Sequence, residues 1–314
     1  MRYQFQFDLY QHRFKRPLKT HHGIWEVRQG VTLKLLSEAG KPYWGEIAPL
    51  PWFGSETLEQ ALEFCHRLPA ELTEATIFSI PNQLPACQFG FESALSLVKP
   101  DSHSPESLSY SRLLPAGNTA LQCWQTFWNQ GYRTFKWKIG AFPIGEELEI
   151  FHQLCQSLPA TTKLRLDANG GLSFTEASQW LETCDHLNRA KHLPTVEYIE
   201  QPLPPQQFEQ MQELGSHFSV PIALDESVTT LAHLQACYDR GWRGIFVIKP
   251  AIAGSPGQLR QFCQRHSIDA VFSTVFETAI GRQAGLRLAA ELTNPNRAVG
   301  YDGTWNNFDY FGYG

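Results

Sequence analysis

The stretch Thr134-Phe135-Lys136-Trp137-Lys138-Ile139-Gly140 reads as a short strand, built of aromatic and β-branched residues and ending at a glycine. Successive side chains on a strand point to opposite faces. Lys136 and Lys138 therefore share one face, and Phe135, Trp137 and Ile139 share the other. If the aromatics are buried, two ammonium groups aim together at something other than apolar core. Like charges this close lower each other's pKa. A lysine drawn toward neutrality can act as a general base. By itself Lys-x-Lys also describes a solvated edge strand, so its surroundings decide.

Those surroundings have a rhythm. From about residue 105 onward, short apolar segments alternate with amphipathic helices. Strands are expected at Arg112–Leu114, Thr134–Ile139, Lys163–Asp167, Val196–Glu200, Ile222–Asp225, Ile245–Lys249, Ala270–Ser273 and Ala298–Tyr301. Helical patterns at Thr119–Gln130, Glu146–Leu158, Glu176–Leu187 and Thr229–Asp239 fill several of the gaps. Trp124 and Trp128, at helical spacing, read as core. Eight strands with helical spacers indicate parallel βαβ units closed into a (β/α)8-type barrel. A doubly wound open sheet fits less well, because no Gly-rich phosphate loop follows the first strand.

The first hundred residues lack this rhythm. Tyr3–Leu9, Gly30–Leu36 and a segment around Tyr43–Glu46 look like strands, and Arg16–Gly23 looks like a polar, turn-rich loop carrying His21 and His22. A helix follows Ser55, its expected N-cap, and another covers Gln88–Val98. This is the pattern of a small α+β module. The expected division is an α+β capping domain over residues 1–104 and a barrel over 105–301, with the tail from about 302 to 314 returning to the cap.

Barrel active sites sit at the C-terminal ends of the strands. Here those ends carry Lys138, Asp167, Glu200, Asp225 with Glu226, and Lys249 on successive strands. A single acidic residue at a strand end often only caps the next helix. Three on adjacent strands would repel strongly. A hard divalent cation with oxygen ligands resolves this, and Mg2+ suits it, with Mn2+ as a substitute. Lysines flanking a metal from two sides suit proton abstraction next to a carboxylate.

On these residues the chain resembles the enolase superfamily, in its muconate-lactonizing-like subgroup. The motifs are Lys136-x-Lys138, Asp167-Ala168-Asn169, Glu200-Gln201-Pro202, Asp225-Glu226-Ser227 and Lys249-Pro250. The resemblance implies an α/β fold, an enolase-type modified (β/α)8 barrel, (β/α)7β, under an N-terminal α+β capping domain. Three further stretches narrow the likeness: Pro17-Leu18-Lys19-Thr20 with Gly23, Gly45 through Thr57, and Ser273 through Gly281. They resemble the subgroup's dehydratases that convert 2-succinyl-6-hydroxy-2,4-cyclohexadiene-1-carboxylate to 2-succinylbenzoate in menaquinone or phylloquinone biosynthesis. What this implies is a lyase with Asp167, Glu200 and Asp225 as metal ligands, Lys138 as base and then acid, and Lys249 as a persistent cation. Lys136 is expected to support them by orienting Asp167 or by lowering the pKa of Lys138, and Arg165 either to pair with a buried carboxylate or to meet the substrate. Asn169 and Glu226 are expected to stand behind the ligands, Glu226 alternatively as a helix cap. Thr20, Gly23, Trp52, Phe53, Ser273 and Thr274 are expected to meet the substrate. Trp52 and Phe53 would give an apolar wall, and the loop at His21 and His22 a cover.

The rival within the subgroup is an N-acylamino acid racemase or another epimerase, since lysines on both faces of a substrate serve racemisation. Dipeptide epimerases of the subgroup carry Asp-x-Asp near the last strand, whereas this chain reads Tyr301-Asp302-Gly303-Thr304. Mandelate racemase-like enzymes and sugar-acid dehydratases use a histidine base near strand seven, and none stands there. A non-catalytic barrel would be expected to have lost part of the charged set.

Composition limits the remaining classes. A net charge of −5 without a basic stripe argues against nucleic acid as a partner. No apolar run approaches the roughly 18 residues of a membrane helix, and the alternating N-terminus lacks a signal-peptide core. Seven scattered cysteines read as buried thiols in a reducing cytoplasm. The expected partner is a small carboxylate substrate, and the sequence is compatible with a monomer.

Overall fold

The computed structural model describes residues 1–20, 23–96 and 105–301. Two sheets organise it. The first is antiparallel and has the order β3-β2-β1-β4. Its strands are β1 (Arg2–Thr20), β2 (Gly23–Ser37), β3 (Pro42–Ile47) and β4 (Glu71–Thr73). The second is parallel, with its strands in sequence order: β5 (Ser111–Leu114), β6 (Thr134–Lys138), β7 (Lys163–Asp167), β8 (Thr195–Glu200), β9 (Ile222–Leu224), β10 (Ile245–Ile248) and β11 (Asp269–Phe272).

Residues 298–301 close the parallel sheet into a barrel. Val299 bridges Tyr110 and Gly300 bridges Ser273, so this segment lies between the first and seventh barrel strands. It is too short for a regular ladder, and side chains hold it from below. The Arg297 guanidinium reaches Asp269 at 2.6 and 2.7 Å and Glu197 at 3.1 Å. The result is the (β/α)7β barrel with an N-terminal antiparallel unit against it. The expected tail contact from about 302 to 314 lies outside the described residues.

The alternation on β6 is realised. Phe135 and Trp137 are fully buried on the outer face. Trp137 stacks on Phe151 at 6.4 Å and meets Trp180 edge-on at 6.4 Å, so it packs against the helices Ile144–Ser157 and Phe174–Asn188. Tyr198, Ala223, Ile245, Val247 and Val271 form a separate apolar layer inside the barrel. The charged strand ends stand above that layer.

Three local expectations change. The stretch Arg16–Gly23 is mostly strand: β1 runs to Thr20 and β2 starts at Gly23, pairing Thr20 with Gly23. Hydrogen bonding along this long hairpin outweighs the turn-forming composition. Ser55 does not cap the helix Leu58–Arg67. Thr57 does so in a reciprocal pair with Gln60, and the Ser55 hydroxyl instead accepts from Leu50 N at 2.6 Å. The second helix begins at Pro85, earlier than its apolar pattern suggests, with Glu56 accepting from Ala86 N and Cys87 N at 3.0 and 2.7 Å.

The antiparallel unit packs closely where β3 crosses the helix Pro85–Ser96. A Cβ on Gly45 would stand 2.1 Å from the carbonyl oxygen of Gly90. Backbone cannot yield there as a side chain would. Gly45→Ala should therefore destabilise by about 1–3 kcal/mol, read as a Tm several degrees lower by calorimetry. Gly145→Ala, in a helix with open space around the added carbon, should leave Tm unchanged or slightly raised.

Candidate active site

Parallel pairing sets the charged groups in a row. Lys138 lies beside Asp167, and Asp167 beside Glu200. Glu200 aligns with Ala223, which puts Asp225 two residues on and on the same face. Asp167, Glu200 and Asp225 are buried, at 7%, 1% and 4% exposure. Backbone bonds extend the ladder past the strand ends, from Ile139 N to Asp167 O at 2.9 Å and from Ala168 N to Glu200 O at 3.1 Å.

The lysines divide the work. Lys136 Nζ sits between Asp167 Oδ2 at 2.8 Å and Glu200 Oε1 at 2.7 Å. Lys249 Nζ pairs with Asp225 Oδ1 and stands 4.4 Å from the centre of the Phe53 ring. Lys138 makes no hydrogen bond or ion pair among the described residues. The turn that follows Lys138 is fixed by Glu147, which accepts from Gly140 N, Ala141 N and Phe142 N at 2.8 to 3.0 Å.

Burial alone would depress Lys136, but the carboxylates of Asp167, Glu200 and Asp225 outweigh it and hold this ammonium well above its usual range. This reverses the sequence expectation for Lys136, where mutual repulsion of the lysine pair was to lower it. Glu200 is pushed up to about 8, first by burial and then by Asp167 and Asp225, against Lys136. Glu226 rises to about 7, again chiefly by burial and then by Asp225.

The supporting residues divide too. Asn169 donates from Nδ2 to Glu226 Oε1 at 3.0 Å and from its backbone to Asp167 Oδ1 at 3.2 Å, holding a left-handed φ of 45°. Arg165 pairs with Glu197 at 2.6 Å and lies 4.9 Å from the Tyr198 ring, beneath the row of carboxylates. Of its two expected roles, the structure shows the buried ion pair. Gln201, fully buried at φ 39°, was not singled out by its residue type. Its Oε1 accepts from Asp225 N and Ser227 N at 3.0 and 3.1 Å, and its Nε2 donates to Ser227 Oγ at 2.8 Å, tying β8 to β9. Only its place directly after Glu200 signalled a role.

Among the expected substrate contacts, Phe53 lies against Lys249. Trp52 meets Trp25 edge-on at 5.0 Å, and Trp25 meets Phe276 at 5.6 Å, making an aromatic wall shared by both sheets' loops. The hydroxyls of Ser273 and Thr274 are engaged within the protein, donating to Gly300 O at 3.1 Å and Glu277 Oε2 at 2.8 Å. Thr20 and Gly23 pair at the hairpin end, and His21 and His22 lie outside the described residues.

Among the described residues no three His, Cys, Asp or Glu side chains stand as a ready ligand group. Lys136 and Lys249 instead supply the positive charge. The donor set still fits a hard cation: three buried carboxylates on adjacent strand ends, with a buried Glu226 Oε2 beside them that has no hydrogen-bond partner. No helix among the described residues is long and apolar enough to cross a membrane. All seven cysteines are free, Cys123 being half-buried and the rest buried.

A parallel barrel with acids and lysines on its strand ends, paired with an antiparallel cap, defines an enolase-type catalytic fold. Residues 120–311 match the family model "Enolase C-terminal domain-like", and residues 6–98 match "MenC, N-terminal domain". The chain is 40% identical to an o-succinylbenzoate synthase of Thermosynechococcus vestitus, over 95% of this chain and 92% of that one. It is 27% identical to one of Pasteurella multocida, over 97% and 90%. A crystal structure of o-succinylbenzoate synthase from Thermosynechococcus elongatus BP-1, complexed with Mg in the active site, superposes with TM-score 0.87 at 40% identity over 95% of this chain and 92% of that one. The L-Ala-D/L-Glu epimerase of Bacillus subtilis superposes at 0.75 with 17% identity over 95% and 88%, a likeness of fold alone. The chain belongs to the o-succinylbenzoate synthase family of the enolase superfamily.

With Glu200 raised from 4.5 to about 8, the folded state binds more protons than the unfolded chain between those values. That contribution to stability is full below pH 4.5 and lost as pH rises through 8. In EDTA, Tm should therefore fall more steeply from pH 5 to 8 in the wild type than in Glu200→Gln, as read by thermal unfolding at each pH. Equal slopes would contradict the assignment.

Proposed function

We propose that this chain is an o-succinylbenzoate synthase, a divalent-metal-dependent hydro-lyase that dehydrates 2-succinyl-6-hydroxy-2,4-cyclohexadiene-1-carboxylate to 2-succinylbenzoate on the path to menaquinone or phylloquinone. Mg2+, with Mn2+ able to substitute, would be held by Asp167, Glu200 and Asp225 and would supply positive charge to the substrate carboxylate. Lys138 removes the proton α to that carboxylate. The C–O bond to the ring hydroxyl then breaks on the same face, and Lys138 returns the proton to the departing oxygen. Water leaves and the ring becomes aromatic. Aromatisation makes the reaction strongly downhill, so a single lysine suffices as base and acid.

The observation that carries this reading is the unequal state of the lysines. Lys138 stands at the site without a partner among the described residues, while Lys249 is held by Asp225 and the Phe53 ring. Lys249 remains an ammonium and stabilises the enediolate from the other side. Lys136 orients Asp167 and Glu200, and Asn169 and Glu226 steady the same row from behind. The aromatic wall of Trp52 and Phe53 receives the apolar part of the succinyl arm. The free, mostly buried thiols support a reducing compartment, the cytoplasm.

Lys138→Ala should lower kcat by at least the 10²–10⁴-fold typical of a general base, with fold and Mg2+ affinity retained by circular dichroism and calorimetric titration. Turnover at the wild-type rate would overturn the role of Lys138. EDTA should abolish activity, and Mg2+ or Mn2+ should restore it; activity indifferent to chelation would remove the metal from the scheme.

A further inference from the structure

We propose that Arg28 and Glu46, both on the antiparallel sheet, are positioning residues for this reaction: they fix the two loops that form the substrate's aromatic wall. The inference rests on the dehydratase reading and adds residues that lie outside the row of charged strand ends.

Arg28, on β2, is 2% exposed. A buried guanidinium is costly unless its donors are used. Its Nε donates to Phe276 O at 3.3 Å, its two terminal nitrogens to Pro49 O at 2.8 Å and Ala48 O at 2.6 Å, and one of these also to Gln29 O at 2.8 Å. One side chain thus holds the segment entering Trp52 and Phe53 together with the loop that follows β11. Glu46, on β3 and fully buried, grips that loop further along. Its carboxylate accepts from Thr278 N at 2.8 Å, Thr278 Oγ1 at 2.5 Å, Gly281 N at 2.8 Å and Tyr10 OH at 2.5 Å. Between these grips Phe276 adopts φ 61°, a left-handed conformation that a phenylalanine keeps only when its surroundings impose it. That conformation turns its ring onto Trp25 and Phe14, at 5.6 and 5.8 Å. Through Trp25 the contact runs to Trp52, whose neighbour Phe53 covers Lys249.

Simple adhesion between the two sheets would affect stability alone. A positioning role would affect the binding of the succinyl arm, in substrate and product alike. The test is steady-state kinetics on the cyclohexadiene substrate at saturating Mg2+ for wild type, Arg28→Met, Arg28→Lys and Glu46→Gln. Thermal unfolding and the affinity for 2-succinylbenzoate, read by tryptophan fluorescence, accompany it. Arg28→Met and Glu46→Gln should each raise KM and product Kd tenfold or more, with kcat lowered less than threefold. Arg28→Lys, keeping the charge and part of the donor set, should recover part of that loss. Should Arg28→Met not fold, a rise of at least threefold in Arg28→Lys together with the Glu46→Gln result decides the matter. Folded variants with KM and product Kd within twofold of wild type would overturn the inference, as would a fall in kcat with product affinity intact. A wild type inactive on the diene would overturn the assigned activity first, and is thereby distinct from an active wild type whose variants bind normally.

Discussion

Three carboxylates on neighbouring strand ends must share positive charge, and the Lys136 bridge to Asp167 and Glu200 is where the protein meets that demand. At ~4 Å, like charges near a protein surface repel by about 4 kcal/mol per pair at an effective dielectric constant near 20. Parallel ladder register leaves no freedom to separate them, because β7, β8 and β9 are adjacent and in phase. The cluster is held together by cations from either side, Lys136 below and Lys249 across. The outward face of β6 serves the same end differently. Trp137, locked between Phe151 and Trp180, fixes the strand's rotation and so sends both lysines inward.

The division of labour among three lysines follows from geometry rather than residue type. Lys136 is one step deeper on β6 than Lys138 and meets two carboxylates. Lys138 is the residue at the strand's end, followed by the Gly140 turn that Glu147 secures. The N-terminal sheet reaches the same strand ends, its loops bringing Phe53 over Lys249 and Trp52 against Trp25. Apolar residues of both parts share one core there, Ala251, Ile252 and Val275 packing among the cap's own. Cap and barrel thus meet through a common core.

Much of this was legible in the sequence. Period-two alternation placed Lys136 and Lys138 on one face, and the βα rhythm placed Asp167, Glu200 and Asp225 at successive strand ends. What local pattern does not carry is contact between residues far apart in the chain. The sequence offered Lys136 its neighbouring lysine and Asp167, and the bond to Asp167 is present, but not the second bond to Glu200, 64 residues on. Gln201 has an ordinary residue type, and its function is to join two strand ends. Arg28 and Glu46 act on residues more than two hundred positions away. Ser55 was the expected cap, but its hydroxyl is taken by the Leu50 N–H, and Thr57 caps the helix instead. The closing segment at 298–301 was expected as a strand, but it forms only two isolated bridges, and the ion pairs that hold it in place of a ladder were not foreseen.

The account rests on one face of the site doing both proton transfers, while Lys249 stays a cation. The most direct measurement offers the purified protein, with Mg2+, two substrate classes side by side. One is the cyclohexadiene carboxylate, followed by ultraviolet absorbance. The other is a panel of N-succinylamino acids and dipeptides, followed by polarimetry. The account predicts efficient conversion of the diene to 2-succinylbenzoate, far faster than any change of optical rotation. Racemisation of the panel with no turnover of the diene would contradict it.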